Sequence, residues 1–171
     1  KSTLFNKLSG KRTSIVDQME GVTRDRVYSS AEWLSQGFDI IDTGGYVSSN
    51  EDDFNEEIKE QISAALNECN GIIFLVDGKD GLNPNDQFLS KLVRKSGKKF
   101  VMGVNKCDTP EHASRINQFF DIGFENPIPM SALNGAGVGD MLDILFESID
   151  FNDTTQSNDD SDWSITIVGM P

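Results

Sequence analysis

Short apolar runs, each followed by a polar loop, are the feature that most constrains what this 171-residue chain can fold into. The runs do not alternate between apolar and polar residues, so each is expected to form a strand buried on both faces. Strands of that kind occur in parallel sheets covered by helices. We therefore predict an α/β fold with a mostly parallel sheet and helices on both faces. Predicted strands lie near residues 27–34, 37–41, 72–76, 100–104 and 127–130, and predicted helices near residues 2–8, 54–66, 86–96, 111–120 and 138–149.

The polar loop that follows the run at 100–104 is Asn105-Lys106-Cys107-Asp108. The Asp108 carboxylate can accept two hydrogen bonds from guanine, one from the ring N–H and one from the exocyclic amine. Adenine lacks this pair of donors and would leave a charged acceptor without a partner, which is costly. Asn105 and Lys106 are expected to tie this loop to a phosphate-binding loop and to cover the face of the base. The loop therefore predicts a guanine site at the carboxyl end of a buried strand.

The two ends of the chain match the two halves of one phosphate-binding motif. Lys1-Ser2-Thr3 matches the end of G-x-x-x-x-G-K-[ST], in which the lysine reaches the β and γ phosphates and the hydroxyl binds Mg²⁺. The strand-like residues 165–168 and Gly169 match its beginning. We therefore expect most of one domain and the opening of another. The expected division is a first domain at 1–149, an acidic flexible linker at 150–163, and the first strand and phosphate-loop start of a second domain at 164–171.

A second expectation concerns the strand that should precede Lys1 in such a domain. That strand would lie at the centre of the sheet, where unpaired backbone groups are costly. Residues 165–168 have the composition to fill this position, and the linker before them is long enough to allow it. We predict that they complete the sheet.

Three further short motifs lie between the two ends. Asp42 ends the run at 38–41, where a carboxylate can hold Mg²⁺ through water, and Gly45 can offer its N–H to a γ phosphate. Thr23 lies in a polar segment upstream, from which its hydroxyl can complete the Mg²⁺ shell while the γ phosphate is present. The third motif is Ser131-Ala132-Leu133, whose N–H groups can contact the guanine oxygen.

With these motifs the chain resembles the first GTPase domain of the Der (EngA) family of bacterial double-domain GTPases. The resemblance extends over nearly the whole chain. It implies a P-loop NTPase fold of small-GTPase type, GTP hydrolysis with Mg²⁺, and a role in assembly of the large ribosomal subunit. The segments that carry it are Lys1-Ser2-Thr3-Leu4-Phe5-Asn6-Lys7-Leu8, Glu20-Gly21-Val22-Thr23-Arg24-Asp25-Arg26, Ala31-Glu32-Trp33 and Asp42-Thr43-Gly44-Gly45.

The resemblance also implies the roles of individual residues. The implied catalytic residues are Lys1, Thr23 and Gly45, and the implied metal ligands are Ser2, Thr23 and Asp42. The implied nucleotide contacts are Lys1, Ser2, Thr3, Asp42, Thr43, Gly44, Gly45, Tyr46, Asn105, Lys106, Cys107, Asp108, Ser131, Ala132 and Leu133. Tyr46 stands where the best-known small GTPases have a water-orienting glutamine. Relatives without that glutamine are slow alone and can be assisted by K⁺, and the asparagine that would bind K⁺ is expected in the part of the phosphate loop that precedes Lys1. Hydrolysis by this chain as it stands is therefore expected to be low or absent.

Composition limits the partners of the chain. Its formal net charge is −13, and a face that binds RNA directly needs clustered Lys and Arg, so direct RNA binding by this domain is not expected. Contact with the large ribosomal subunit would come mostly through other parts of the protein.

The longest apolar runs fall far short of the ~20 residues that span a membrane. Cys69 and Cys107 form no disulfide framework and suit a reducing cytoplasm.

Two other functions stay open from the sequence. One is a GTPase of the Era or tRNA-modifying branch, which shares the guanine and magnesium motifs but usually has Asp-Thr-Ala-Gly where this chain has Asp42-Thr43-Gly44-Gly45. The other is a non-catalytic module that binds guanine nucleotides and works as a ribosomal scaffold.

Overall fold

The computed structural model describes residues 1–9, 27–43, 56–149 and 163–169. Helices and strands alternate along most of this part of the chain. In chain order the elements are α1 Ser2–Leu8, β1 Val27–Trp33, β2 Gln36–Asp42, α2 Glu56–Glu68, β3 Gly71–Asp77, α3 Pro84–Lys95, β4 Lys99–Asn105, α4 Pro110–Ser114, a 3₁₀ helix Arg115–Ile122, β5 Ile128–Pro129, α5 Val138–Ser148 and β6 Ser164–Gly169.

The strands form one sheet in the order β1-β2-β6-β3-β4-β5. Among the described strands, the β1–β2 pair is antiparallel and the four other pairings are parallel. The predicted mostly parallel α/β fold is therefore confirmed. The predicted strands and helices agree with the observed elements within a few residues, except that Phe54, at the start of the second predicted helix, lies outside the described residues.

β6 lies in the middle of the sheet, between β2 and β3. Ile165 is aligned with Ile40 of β2, and Ile167 is aligned with Ile73 of β3. Backbone groups on both sides of β6 are thereby paired, which satisfies the requirement that buried N–H and C=O groups find partners. The prediction that residues 165–168 complete the sheet is confirmed. The division into two domains stays a prediction, because residues 150–162 lie outside the described part of the chain.

Two hydrophobic clusters cover the two faces of the sheet. On one face the side chains of α1 and α5, such as Leu4 and Leu145, pack against Ile167 of β6. On the other face Leu89 of α3 and its neighbours pack against Val168. Each such side chain, once fully buried, contributes about 1.5–3 kcal/mol. The central strands are buried on both faces for this reason, as their unbroken apolar sequence predicted.

One predicted helix has a different form in the structure. The segment near 111–120 was expected to be a single helix, but it is the five-residue α4 followed by an eight-residue 3₁₀ helix. Ile116, Phe119 and Ile122 all pack on the cluster that contains Val168. They are spaced three residues apart, which matches the 3.0 residues per turn of a 3₁₀ helix better than the 3.6 of an α-helix. Gly123 ends the segment with a φ of +76°.

Within the described residues, no helix is both long and apolar enough to cross a membrane.

Candidate functional site

The polar ends of three parallel strands meet at one edge of the sheet. β2 ends at Asp42, β3 at Asp77 and β4 at Asn105. Carboxyl ends of parallel strands are the usual position of ligand sites in α/β proteins. A small cavity of about 40 Å³ opens there. It is lined by Lys1, Leu75, Val76, Asp77, Asn83, Asp86, Asn105 and Lys106.

Lys1 and Asp42 form a buried ion pair at this edge. The distance from Lys1 Nζ to Asp42 Oδ1 is 3.5 Å, and the two side chains are 2% and 8% exposed. Burial lowers the pKa of the Lys1 ammonium group, and the charge of Asp42 opposes this shift only in part. Neither Nζ nor Oδ1 has a well-formed hydrogen bond to another described residue. Two buried charges with unused hydrogen-bonding capacity make this a place where an anionic or metal-bound ligand fits.

Thr43, the residue after Asp42, faces the sheet. Its hydroxyl donates a hydrogen bond to the Ile167 carbonyl oxygen at 3.0 Å, and the residue is 3% exposed. The side chain therefore joins the end of β2 to β6. A contact between Thr43 and a nucleotide stays a prediction, and its hydroxyl already has a partner in this structure.

Asn105 connects the loop after β4 to two other loops. Its backbone carbonyl accepts a hydrogen bond from Gly78 N at 2.7 Å, and its Oδ1 accepts one from Ala132 N at 2.9 Å. Gly78 can approach this closely because it has no side chain: a Cβ there would lie 2.9 Å from both the Asn105 oxygen and Cys107 Sγ. The Ala132 N–H, which was predicted to face guanine, donates to Asn105 here.

Asp108 is held by the Ser131 side chain. Ser131 Oγ donates to Asp108 Oδ1 at 2.5 Å, and it also accepts a hydrogen bond from Asn134 N at 3.3 Å. Ser131 is fully buried whereas Asp108 is exposed. A buried hydroxyl thus fixes the direction of an exposed carboxylate, which is the arrangement that a base-reading carboxylate needs.

Lys106 and Cys107 complete this loop. Lys106 has a φ of +65°, which is uncommon for a residue with a side chain, and its Nζ lies 2.5 Å from Asp77 Oδ2. Burial raises the pKa of the Cys107 thiol, and the nearby charges of Asp108 and Asp77 raise it further. The thiol is therefore kept protonated, which makes it a poor nucleophile.

The structure brings together most of the predicted site residues that it describes. Lys1 meets Asp42, and the loop 105–108 meets the loop 131–133. Ser2 and Thr3 are exposed at the start of α1, and Leu133 is 77% exposed beside Ser131. The predicted residues Thr23, Gly44, Gly45 and Tyr46 lie outside the described residues.

Sequence reasoning missed Asp77 and Asp86. Asp77 ends an unbroken apolar run, as Asp42 does, so the same pattern could have identified it. Asp86 is 1% exposed and forms a capping box with Asn83 at the start of α3. The predicted helix near 86–96 placed Asp86 at its start, but nothing in the sequence indicated that this side chain would line the cavity.

The residues near Lys1 suit Mg²⁺ in their chemistry. Asp42 offers a buried carboxylate oxygen, and Ser2 offers an exposed hydroxyl. Mg²⁺ prefers such oxygen ligands and keeps several waters. No cluster of three or more His, Cys, Asp or Glu side chains suited to a metal is present in the described ranges. A magnesium ion here would therefore also need oxygens from a bound phosphate and from water.

Comparison with known proteins agrees with this geometry. The chain is 43% identical to GTPase Der of Macrococcus caseolyticus over 171 residues and 45% identical to GTPase Der of Clostridium kluyveri over 172 residues. All of this chain is covered in both cases, but it spans only 39% of each relative. The predicted resemblance is thus confirmed.

The fold is shared with a solved structure of Aquifex aeolicus Era bound to GDP and AlF₄⁻, with a TM-score of 0.70 at 22% identity. The match covers 94% of this chain and 56% of that one. The model of the family described as 50S ribosome-binding GTPase matches residues 1–106 of the 171. Since this is more than half of its length, the chain belongs to the 50S ribosome-binding GTPase family.

Proposed function

We propose that this chain is a GTP-binding and GTP-hydrolysing switch domain that acts in assembly of the large ribosomal subunit. The observation that supports this most is the pairing of Asp108 with Ser131 at 2.5 Å, next to the pairing of Asn105 with Ala132 at 2.9 Å. Together these contacts hold an exposed carboxylate in a fixed direction. The names of the relatives, GTPase Der, support the same function.

Base recognition would depend on Asp108. Its carboxylate would accept hydrogen bonds from the ring N–H and exocyclic amine of guanine, with Ser131 keeping it in place. Lys106 would lie along the base, and the N–H of Leu133 would approach the guanine oxygen, since those of Ser131 and Ala132 already donate to Ala136 and Asn105. Hydrogen bonds to a charged group contribute about 1.5–3 kcal/mol each. The complex with ADP would lack both of these bonds to Asp108, so the protein would bind GDP much more tightly than ADP.

Phosphate binding would depend on Lys1 and its surroundings. The Lys1 ammonium group is buried, and among the described residues its ion-pair partner is Asp42 at 3.5 Å, so a phosphate oxygen would supply a further partner. Ser2 and Asp42 would hold Mg²⁺, directly or through water, with Thr23 as a further ligand. The ion would neutralise charge on the β and γ phosphates.

Gly45 would bind the γ phosphate through its N–H. Tyr46 offers no water-orienting amide, which predicts slow hydrolysis, and assistance by K⁺ stays a prediction.

The charge of the chain limits its partners. With a formal net charge of −13, this domain would not bind RNA directly, and contact with the large subunit would come through other parts of the protein. The two cysteines are both free, and a cytoplasmic location is the one we propose.

A competition titration of Mg·GDP against Mg·ADP in the full-length protein tests base recognition. We expect GDP to bind more tightly by a factor of about 100 or more. Asp108→Asn is expected to create a site for xanthosine diphosphate, because an amide can donate to the xanthine oxygen, while any second guanine site in the protein would still bind GDP. Asp121→Asn is the matched control, since Asp121 is exposed and lies in the 3₁₀ helix, outside this loop. Equal binding of GDP and ADP by the unaltered protein would contradict the proposal.

Phosphate release from GTP tests the catalytic part. We expect slow release, and Lys1→Ala is expected to remove the part of it that comes from this domain. Tight, selective GDP binding with no release in the presence of Mg²⁺, K⁺ and ribosomal subunits would favour the non-catalytic scaffold.

A further inference from the structure

The turn that follows β3 is built around one carboxylate, that of Asp77. Asp77 Oδ1 accepts hydrogen bonds from Lys79 N at 2.8 Å and from Asp80 N at 3.1 Å. The Asp77 carbonyl also accepts one from Gly81 N at 3.0 Å. Since these bonds all lie within residues 77–81, the turn fixes the direction of the Asp77 side chain by itself. We call residues 77–81 the β3 turn.

The β3 turn contacts the loop after β4 at two points. Gly78 N donates to the Asn105 carbonyl oxygen at 2.7 Å, and Asp77 Oδ2 lies 2.5 Å from Lys106 Nζ. The lysine side chain is 50% exposed and that of Asp77 is 21% exposed. A long, half-exposed lysine normally has many rotamers available, so a short contact to a fixed carboxylate restricts it markedly.

The same contact acts on a residue with an unusual backbone. The φ of Lys106 is +65°, in the left-handed region that residues with side chains seldom occupy. The bond from Gly78 holds the backbone just before Lys106, and Cys107 N, just after it, donates to the Met130 carbonyl at 3.0 Å. Asp77 fixes the side chain between these two points.

The contact favours the charged form of both groups. The hydrogen bond to Asp77 raises the pKa of Lys106. Burial alone would raise the pKa of Asp77, but hydrogen bonds from Lys106, Asp80 and Lys79 outweigh it and lower that pKa. The pair is therefore fully charged at neutral pH.

We propose that Asp77 is a positioning residue for the nucleotide: its contact with Lys106 holds the lysine stem in the place where it lies along the bound base. This inference rests on the proposed guanine site. Asp77 itself would touch no nucleotide atom, because its two oxygens are taken by the β3 turn and by Lys106. The unbound protein would then have its base site already formed, and less ordering would be needed when the nucleotide binds.

The test measures affinity for xanthosine diphosphate in the full-length protein carrying Asp108→Asn. This background is chosen because the relatives are longer than this chain, and the xanthine nucleotide reports on this site alone. Asp77→Asn is then added. Asparagine can still accept the two turn hydrogen bonds, but it presents an NH₂ group, not an oxygen, to the Lys106 ammonium group. We expect affinity to fall about fivefold.

Two further variants separate positioning from other effects. Asp80→Asn makes the same change of charge in the same turn without removing the contact, and we expect unchanged affinity. Lys106→Met keeps the stem and removes the ammonium group. In that background, Asp77→Asn is expected to cause no further loss, whereas a merely structural role would cause the same loss again.

The outcomes distinguish this inference from the proposed function. If the Asp108→Asn protein does not prefer the xanthine nucleotide, the guanine site is wrong and Asp77 has no base to position. If the preference is present but Asp77→Asn does not lower affinity, or lowers it equally with and without the Lys106 ammonium group, only the role of Asp77 is wrong.

Discussion

Buried charges are concentrated at the carboxyl edge of the sheet. Lys1 and Asp42 are an ion pair with little exposure, and Asp86 is 1% exposed beside the same cavity. Removing a charge from water costs several kcal/mol, and a single partner at 3.5 Å recovers only part of that cost. Groups of this kind reduce stability, and their placement at one edge agrees with a ligand that completes their contacts.

Asp86 makes a pH dependence of stability testable. Burial raises its pKa from 3.8 to about 6, the charge of Asp77 adds to this, and the hydrogen bond from Asn83 N opposes it. Because the folded pKa is raised, protonated Asp86 favours the folded state, and that benefit is lost as pH rises from about 4 through about 6. The full shift corresponds to about 3 kcal/mol. Lys1, Asp77 and Lys106 are the other titratable groups that line this cavity.

Urea unfolding at pH 4.5 and pH 7.5 would measure this effect. We expect the free energy of unfolding of Asp86→Asn to depend less on pH than that of the unaltered chain, by about 1–3 kcal/mol between the two pH values. Asp121→Asn, an exposed carboxylate, should leave the pH dependence unchanged. Identical pH profiles for Asp86→Asn and the unaltered chain would contradict the raised pKa.

Gly169 is required by its backbone conformation and by its surroundings. Its φ is +153°, and a Cβ would collide with the Leu75 carbonyl oxygen. Gly169→Ala is expected to lower the free energy of unfolding by about 1–3 kcal/mol. Gly37→Ala is the control, because a Cβ there has no neighbour within 4 Å. Urea denaturation compares the two, and equal losses would show that the crowding at Gly169 is relieved without cost.

Strands were easier to predict from this sequence than the contacts between loops. Residues 72–76 and 100–104 are unbroken apolar runs of five residues, which is too short for a typical helix, so their length favours strands buried on both faces. The 3₁₀ helix at Arg115–Ile122 was missed because, over eight residues, spacings of 3 and 3.6 differ little.

The sequence predicted which residues form the site, but not the hydrogen bonds and ion pairs that join its loops. Asp108 and Asn105 belong to a short motif that sequence reveals directly. The contact from Ser131 to Asp108 joins residues 23 positions apart, and the contact from Lys106 to Asp77 joins two strand ends. Such pairs depend on the order and register of the strands, which cannot be derived from the pattern of a single sequence.

A hydrogen bond ties the antiparallel strand β1 to α5. Trp33 Nε1 donates to Asp143 Oδ1 at 2.8 Å across the edge of the sheet. We expect Trp33→Phe, which keeps an aromatic ring but removes the donor, to lower the free energy of unfolding by about 1–2 kcal/mol. With Asp143→Ala already present the same change should cost less, by about 1 kcal/mol, in a double-mutant cycle measured by urea denaturation. Additive losses would mean that the ring contact matters and the hydrogen bond does not.

β6 joins the two halves of the core. Ile165 and Ile167 belong to the cluster with α1 and α5, while Val168 belongs to the cluster on the opposite face. The strand also pairs with β2 on one side and with β3 on the other. Loss of its packing should therefore weaken both faces and both sheet halves together.

Ile167→Ala tests this cooperative role. Ile167 is fully buried, so the substitution should lower the free energy of unfolding by about 2–5 kcal/mol. Ile144→Ala on α5 removes the same atoms from a side chain that is 45% exposed, and we expect a loss below about 1 kcal/mol. Hydrogen exchange adds a second measurement: amides of β2, β3 and β6 should lose protection together in Ile167→Ala, because one central strand holds them in a single sheet. If β6 amides of the unaltered chain exchange as fast as an unfolded peptide, or if both substitutions cost the same, β6 is not the central strand of this sheet.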